Sequence, residues 1–201
     1  MRRVYRFYSF LYFLVSISLG LIFRVKPIGI NNIPGGAAVF CASHSGLSDP
    51  FLLCLAVKRK NHMHMMAKKE LFDNPILRTI ILRAGTFSVD RSKTDITAIK
   101  TALNLLKQGE KIVIFPEGTR ADEDFAVAAK TGAIRIAEKA GVPIVPVYIP
   151  RKKSIWRRIP IVIGTPYFIN PEKRKLSSAE YDRLAESLMR SISELKPKEI
   201  A

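Results

Sequence analysis

Pro34-Gly35-Gly36-Ala37-Ala38-Val39-Phe40-Cys41-Ala42-Ser43-His44-Ser45-Gly46-Leu47-Ser48-Asp49-Pro50 is the stretch on which the fold turns. The turn residues Pro34-Gly35-Gly36 open an unbroken apolar run from Ala37 to Ala42. A short run without polar alternation is the pattern of a strand buried on both faces, as in sheets covered by helices on both sides. A loop follows, in which Gly46 permits a sharp turn. Asp49, Pro50 and the apolar residues Phe51 to Leu55 then read as an N-cap, a first-turn proline and a helix body. Strand, loop and helix together set His44 just past the C-terminal end of a strand, the edge of an open α/β sheet where ligands bind.

Histidine is the side chain whose proton affinity suits a general base near neutral pH, and a neighbouring acid can fix its tautomer. Residues five apart on a helix differ by about 140° in direction, so His44 and Asp49 can meet only across a tight loop. Two readings stand side by side. In one, Asp49 orients a catalytic His44; in the other, Asp49 caps a helix and His44 is an ordinary loop histidine.

The rest of the chain repeats the α/β alternation without internal repeats. Strands are expected at His62–Ala67, Thr86–Val89 and Lys111–Phe115, with helices at Ile76–Leu82 and Thr94–Gln108. The second helix carries Ile96, Ile99, Leu103 and Leu106 on one stripe and ends at Gly109. A helix from about Ala128 to Ala140 precedes a strand at Val142–Ile149, whose prolines suit a sheet edge or a strand entrance. Ile161–Ile169 reads as a final strand pair or bent strand. The last helix opens with the capping box Ser177-Ser178-Ala179-Glu180 and buries Tyr181, Leu184, Leu188, Ile192 and Leu195. The expected architecture is a single α/β domain, residues 26–201, with a mixed central sheet flanked by helices. The pair His62 and His64 would share one strand face, but no companion set at zinc spacing accompanies it, so no metal is expected.

Residues 1–25 differ in kind. Phe7 to Phe23 carries no charge and is bracketed by Arg2, Arg3 and Arg6 on one side and by Arg24 and Lys26 on the other. Its helical length of about 25 Å falls short of a hydrocarbon core of about 30 Å. The favoured expectation is therefore a membrane-associating helix that dips into one leaflet, with Tyr5, Tyr8 and Tyr12 near the interface and arginines reaching lipid phosphates; a full single span is the alternative. No small-residue cleavage site follows the apolar run, which argues against a signal peptide.

Thirty-three Lys and Arg against seventeen Asp and Glu give a net charge of +16, so the partners should be anionic. Cys41 and Cys54 sit in or beside apolar runs and suggest buried, reduced thiols on the cytosolic side rather than a disulfide framework. Glu117-Gly118-Thr119-Arg120, after the expected strand at Lys111–Phe115, offers a glycine, a hydroxyl and a guanidinium that suit a phosphate clamp, or else an exposed turn. The acidic Asp122-Glu123-Asp124 would oppose an anion unless it points away. Arg151-Lys152-Lys153 and Arg157-Arg158 flank Trp156, a composition that fits a membrane surface as well as nucleic acid. The apolar N-terminus favours the membrane.

As a set these pieces resemble the glycerolipid acyltransferase family, over about Lys26 to Tyr148. His44 and Asp49 look like its His-x4-Asp motif, and Gly85 to Arg91 is similar to its second block. Phe115-Pro116-Glu117-Gly118-Thr119-Arg120 matches the third, and Val142-Pro143-Ile144-Val145-Pro146-Val147 the fourth. Ser43 stands where the family usually has Asn. The resemblance implies transfer of a fatty acyl group from an acyl-carrier-protein or coenzyme A thioester to the free hydroxyl of 1-acyl-sn-glycerol 3-phosphate, giving phosphatidic acid, with no bound cofactor. It further implies that His44 is the base and Asp49 its orienting acid. Lys68, Arg91, Gly118, Thr119 and Arg120 would hold the acceptor phosphate, at the cytoplasmic face of the cell membrane. The competing expectations are another lysolipid acceptor and a non-catalytic basic module that binds membrane or nucleic acid. No Gly-x-Ser-x-Gly motif supports a serine hydrolase.

Overall fold

A computed structural model describes residues 2–92, 94–116, 131–155 and 157–197. The chain runs α1 (Arg2–Ile22), β1 (Arg24–Ile28), β2 (Ala38–Ala42), α2 (Asp49–Val57), β3 (Met63–Lys68), α3 (Pro75–Arg83), β4 (Phe87–Val89), α4 (Ile96–Lys107), β5 (Lys111–Ile114), α5 (Gly132–Ala140), β6 (Ile144–Tyr148), β7 (Arg158–Ile163) and α6 (Ser178–Glu194). The strands form one seven-stranded sheet in the order β1-β7-β6-β2-β5-β3-β4. Among the described residues only the β6–β7 pair is antiparallel, so the sheet is mixed, as expected.

β2 is the centre of this arrangement, and every residue in it is buried. Its side chains alternate between two cores. Ala38, Phe40 and Ala42 face α2 residues Leu52, Leu53, Ala56 and Val57, whereas Val39 and Cys41 join Leu106 of α4, Ile134 of α5 and Leu188 and Ile192 of α6. Burial of a side chain such as Phe40 contributes about 1.5–3 kcal/mol, and helices on both faces are what let an all-apolar strand exist. Because β2, β5, β3 and β4 run parallel, their C-terminal ends open on one edge of the sheet.

Three sequence expectations need correction. The strand containing Pro146 is interior, between β7 and β2, not an edge, while Pro143 does sit at the strand entrance, one residue before Ile144. Pro146 is tolerated because its missing N–H would face β7, where the ladder is interrupted. There Gly164 N–H donates to Pro146 O at 2.8 Å, and pairing resumes only at Ile144 and Tyr167. The edge is instead β1, which carries charges and Pro27 and went unread in the sequence. It pairs with β7 and turns Val25 and Pro27 inward, Val25 packing against the core. Asp49 is the first residue of α2, after Ser48 at the N-cap position, and Ser48 makes no side-chain cap.

Other boundaries shift by a residue or two. The bent strand at Ile161–Ile169 resolves into β7 plus the isolated bridge at Tyr167. The capping box of α6 is present, with Ser177 Oγ accepting from Glu180 N–H at 3.3 Å and Glu180 Oε2 accepting from Ser177 N–H at 2.8 Å. The expected start of α5 near Ala128 lies outside the described residues.

Helix α1 packs along α2, α3 and β1. Tyr8 is buried on its inner side, while Phe10, Phe13, Leu14, Ile17 and Leu21 stay exposed at helical spacing. By length and composition, Val4–Ile22 is apolar enough to cross a membrane.

Candidate active site

The loop between β2 and α2 is wound around one carboxylate. Asp49 has no exposed surface. Its Oδ2 accepts from the backbone N–H of Ser45 at 2.6 Å and of Gly46 at 2.8 Å, and lies 3.0 Å from His44 Nδ1. Oδ1 forms an ion pair with Lys153 Nζ at 2.7 Å. Burial pushes the Asp49 carboxyl up. The hydrogen bonds from His44, Lys153, Ser45 and Gly46 outweigh it and hold the group below the usual carboxylate range. An ionised Asp49 draws the His44 proton onto Nδ1 and places the basic lone pair on Nε2. Asp49 therefore organises the loop rather than capping the helix.

Two further contacts fix the imidazole. The His44 ring stacks on Phe115, the residue after β5, with centroids 4.2 Å apart and planes at 28°. Ser43 Oγ donates to Ile149 O at 3.1 Å and accepts from Ile149 N–H at 2.9 Å, tying the end of β2 to the end of β6. With 13% of its side chain exposed, His44 is oriented from behind at the sheet edge. A positioned imidazole with an ionised partner on its rear nitrogen is the geometry of general-base catalysis.

Lys153 escaped the sequence reading, which placed it in a surface basic run. It is 9% exposed, and besides Asp49 its Nζ donates to Ser45 Oγ at 2.9 Å and Arg151 O at 3.3 Å. No local pattern marks this role, because its partner belongs to a different loop. Trp156, read with the same basic run, lies outside the described residues.

Lys68 ends β3, and Arg91 lies two residues beyond β4. Both therefore emerge on the edge that carries His44. With strands about 4.8 Å apart, β3 and β4 stand about 10 and 14 Å from β2. Lys68 Nζ is 3.1 Å from Glu70 Oε1, but both side chains are more than half exposed, so this pair is weak and exchangeable. Arg91 is half-buried. Gly118, Thr119 and Arg120 lie outside the described residues. The described chain reaches Pro116 at the exit of β5, between β2 and β3.

Comparisons with known proteins agree with this geometry. Residues 24–150 match the family model described as Acyltransferase. The chain is 32% identical over 202 residues to the 1-acyl-sn-glycerol-3-phosphate acyltransferase of Bacillus subtilis (strain 168), covering 95% of this chain and 98% of that one. It is 38% identical over 110 residues to the 1-acyl-sn-glycerol-3-phosphate acyltransferase of Streptococcus pneumoniae (strain ATCC BAA-255 / R6), covering 54% of this chain and 40% of the relative. Among solved structures it resembles the 1-acyl-sn-glycerophosphate (LPA) acyltransferase PlsC from Thermotoga maritima, with a TM-score of 0.67 and 25% identity over 98% of this chain and 80% of that one. The match spans β1 to the end of β6 and includes the loop held by Asp49: the chain belongs to the acyltransferase family.

Proposed function

We propose that the protein transfers a fatty acyl group from an acyl thioester to the free hydroxyl of 1-acyl-sn-glycerol 3-phosphate, giving phosphatidic acid. The observation that carries this reading is the buried Asp49 carboxylate on His44 Nδ1, at a sheet edge that also presents Lys68 and Arg91. The names of the relatives supply the acceptor. His44 Nε2 takes the proton of the acceptor hydroxyl as its oxygen attacks the thioester carbonyl. The carbon–sulfur bond then breaks, and the departing thiolate takes up that proton from the imidazolium. Asp49 stabilises the imidazolium throughout. No acyl-enzyme is formed. The donor is a thioester of acyl carrier protein or coenzyme A, whose anionic carriers suit the basic chain.

Lys68, Arg91 and Arg120, with Gly118 and Thr119, hold the acceptor phosphate. A charge-assisted contact of this kind is worth about 1.5–3 kcal/mol. Lys68→Ala or Arg120→Ala should therefore raise the acceptor KM about tenfold to a hundredfold with kcat little changed, and should matter less for acceptors without phosphate. Steady-state kinetics on paired acceptors check this; an unchanged KM removes the residue from the site.

The outward stripe of α1 lies in one leaflet of an anionic membrane, at the cytoplasmic face, where Cys41 and Cys54 remain free thiols. Phe13→Arg with Ile17→Arg should weaken sedimentation with anionic vesicles by roughly tenfold or more, since each loses an apolar contact worth about 1–3 kcal/mol. Unchanged binding would place the membrane contact elsewhere. The proposed activity itself is tested by incubating detergent-purified protein with labelled acyl thioester and a panel of lysolipids. Labelled phosphatidic acid from the phosphate-bearing acceptor is expected, and labelling of a different lysolipid instead would reassign the acceptor.

A further inference from the structure

On the opposite edge of the sheet, at the N-terminal ends of β3 and β5, three side chains converge that the transfer reaction does not use. His62 and His64 come from the start of β3, and Glu110 precedes β5. All three are buried, at 5%, 8% and 9% exposure. We propose that His62, His64 and Glu110 form a binding site for a borderline divalent cation of the zinc class, beneath helix α1.

The ring nitrogens carry the argument. His64 Nδ1 lies 2.8 Å from Gly85 O and His62 Nε2 lies 3.1 Å from Ala84 O. A carbonyl only accepts, so each contact consumes the ring's N–H and leaves the lone pair on the other nitrogen. For His64 that nitrogen is Nε2, 3.5 Å from Glu110 Oε2. For His62 it is Nδ1, a buried atom with no hydrogen-bond partner. An orphaned buried acceptor is costly, and a cation is one way to satisfy it. One ligand atom from each of the three residues lies within 4.8 Å of the other two. Tetrahedral zinc with bonds of about 2.1 Å needs ligand atoms about 3.4 Å apart, so metal binding would draw the set together from its present spacing of up to 4.8 Å.

The surroundings match what metal-bound imidazoles require. Ligating histidines donate their rear N–H to a fixed acceptor, and here consecutive carbonyls of the α3–β4 turn serve both. Gly85 makes this approach possible: its φ is +90°, and a Cβ there would lie 2.8 Å from His64 Nδ1. Tyr5 of α1 donates to both Glu110 oxygens, at 2.6 and 2.7 Å, and the Tyr5 and Tyr8 rings pack on His62 with centroids at 4.9 and 4.3 Å. Two imidazoles and one carboxylate suit zinc or cobalt, with a water as fourth ligand. The sequence hides the set because its carboxylate comes from a different strand, so the expectation of no metal rested on the His-x-His pair alone.

The full-length protein, purified in detergent and stripped with a chelator, is titrated with Co2+ as a spectroscopic substitute. The expected result is one Co2+ per chain at micromolar concentration, with the visible bands of a tetrahedral nitrogen and oxygen site. The bands should be lost in His62→Ala, His64→Ala and Glu110→Gln and kept in His44→Ala. Zinc-edge X-ray absorption of the loaded wild type needs no variant and should show two imidazoles. Absence of stoichiometric binding, bands that survive His64→Ala in a folded protein, or an edge spectrum without imidazole would overturn the proposal.

Discussion

With alanine at position 44, acyl transfer falls by about 10²–10⁴, the usual contribution of a positioned proton acceptor. The acceptor hydroxyl is a poor nucleophile until its proton leaves, and in the proposed mechanism His44, in the loop between β2 and α2, takes it. Folding survives, because Asp49 keeps the Ser45 and Gly46 N–H groups and Lys153. The change forfeits one charge-assisted hydrogen bond, about 1.5–3 kcal/mol. Vesicle binding through α1 is unaffected. Added imidazole should restore part of the rate. Transfer at near wild-type rate by a folded variant would remove His44 from the chemistry.

Asp49→Asn has a second large effect, for a different reason. The asparagine amide would present N–H to Nδ1, turn the imidazole to the other tautomer and put its proton on Nε2, where the base must be empty. A loss of about 10³–10⁴ in kcat is expected. It also strands the buried Lys153 ammonium, at a cost of about 3–5 kcal/mol, which denaturant unfolding measures. Adding Lys153→Met should recover much of that stability and none of the rate, separating the positioning role of Lys153 from catalysis.

Acid sensitivity follows from the same residue. The unfolded chain takes up the Asp49 proton near its ordinary value of 3.8, and the folded chain only at lower pH. Between the two the unfolded state binds more protons, so this contribution is fully present above about pH 4 and is lost as pH falls through the folded value. Asp49→Asn should abolish that portion of the slope.

Much of this was legible in residues 34–55, because an apolar strand, a glycine turn and a proline-started helix are local patterns with local causes. The α6 capping box was readable for the same reason, whereas the expected α4 stripe was only partly right: Leu106 is buried, but Ile96 is 63% exposed and Ala98 and Ala102 take the inner face. β1 was not readable: a five-residue edge strand with Arg24, Lys26 and Pro27 buries little, and its short alternation adjoins the apolar run of α1. The interior place of Pro146 was hidden because it depends on a break in the opposing strand. In the site, His44 and Asp49 are five apart and could be paired by spacing, whereas Lys153 and Phe115 reach them only through the sheet order. Glu110 joins two histidines by the same long-range route. Contacts between neighbouring strands are a property of topology, and topology is the part that a linear pattern encodes least.

The most direct test of direct transfer, with His44 activating the lipid hydroxyl, is the intact mass of the wild-type protein after exposure to acyl thioester without acceptor. The mass should stay unchanged. Labelled phosphatidic acid should then appear only when the lysolipid is added, and not from an analogue lacking the accepting hydroxyl. An acyl adduct on Ser43, Ser45 or Ser48 that is chased into product would contradict the account.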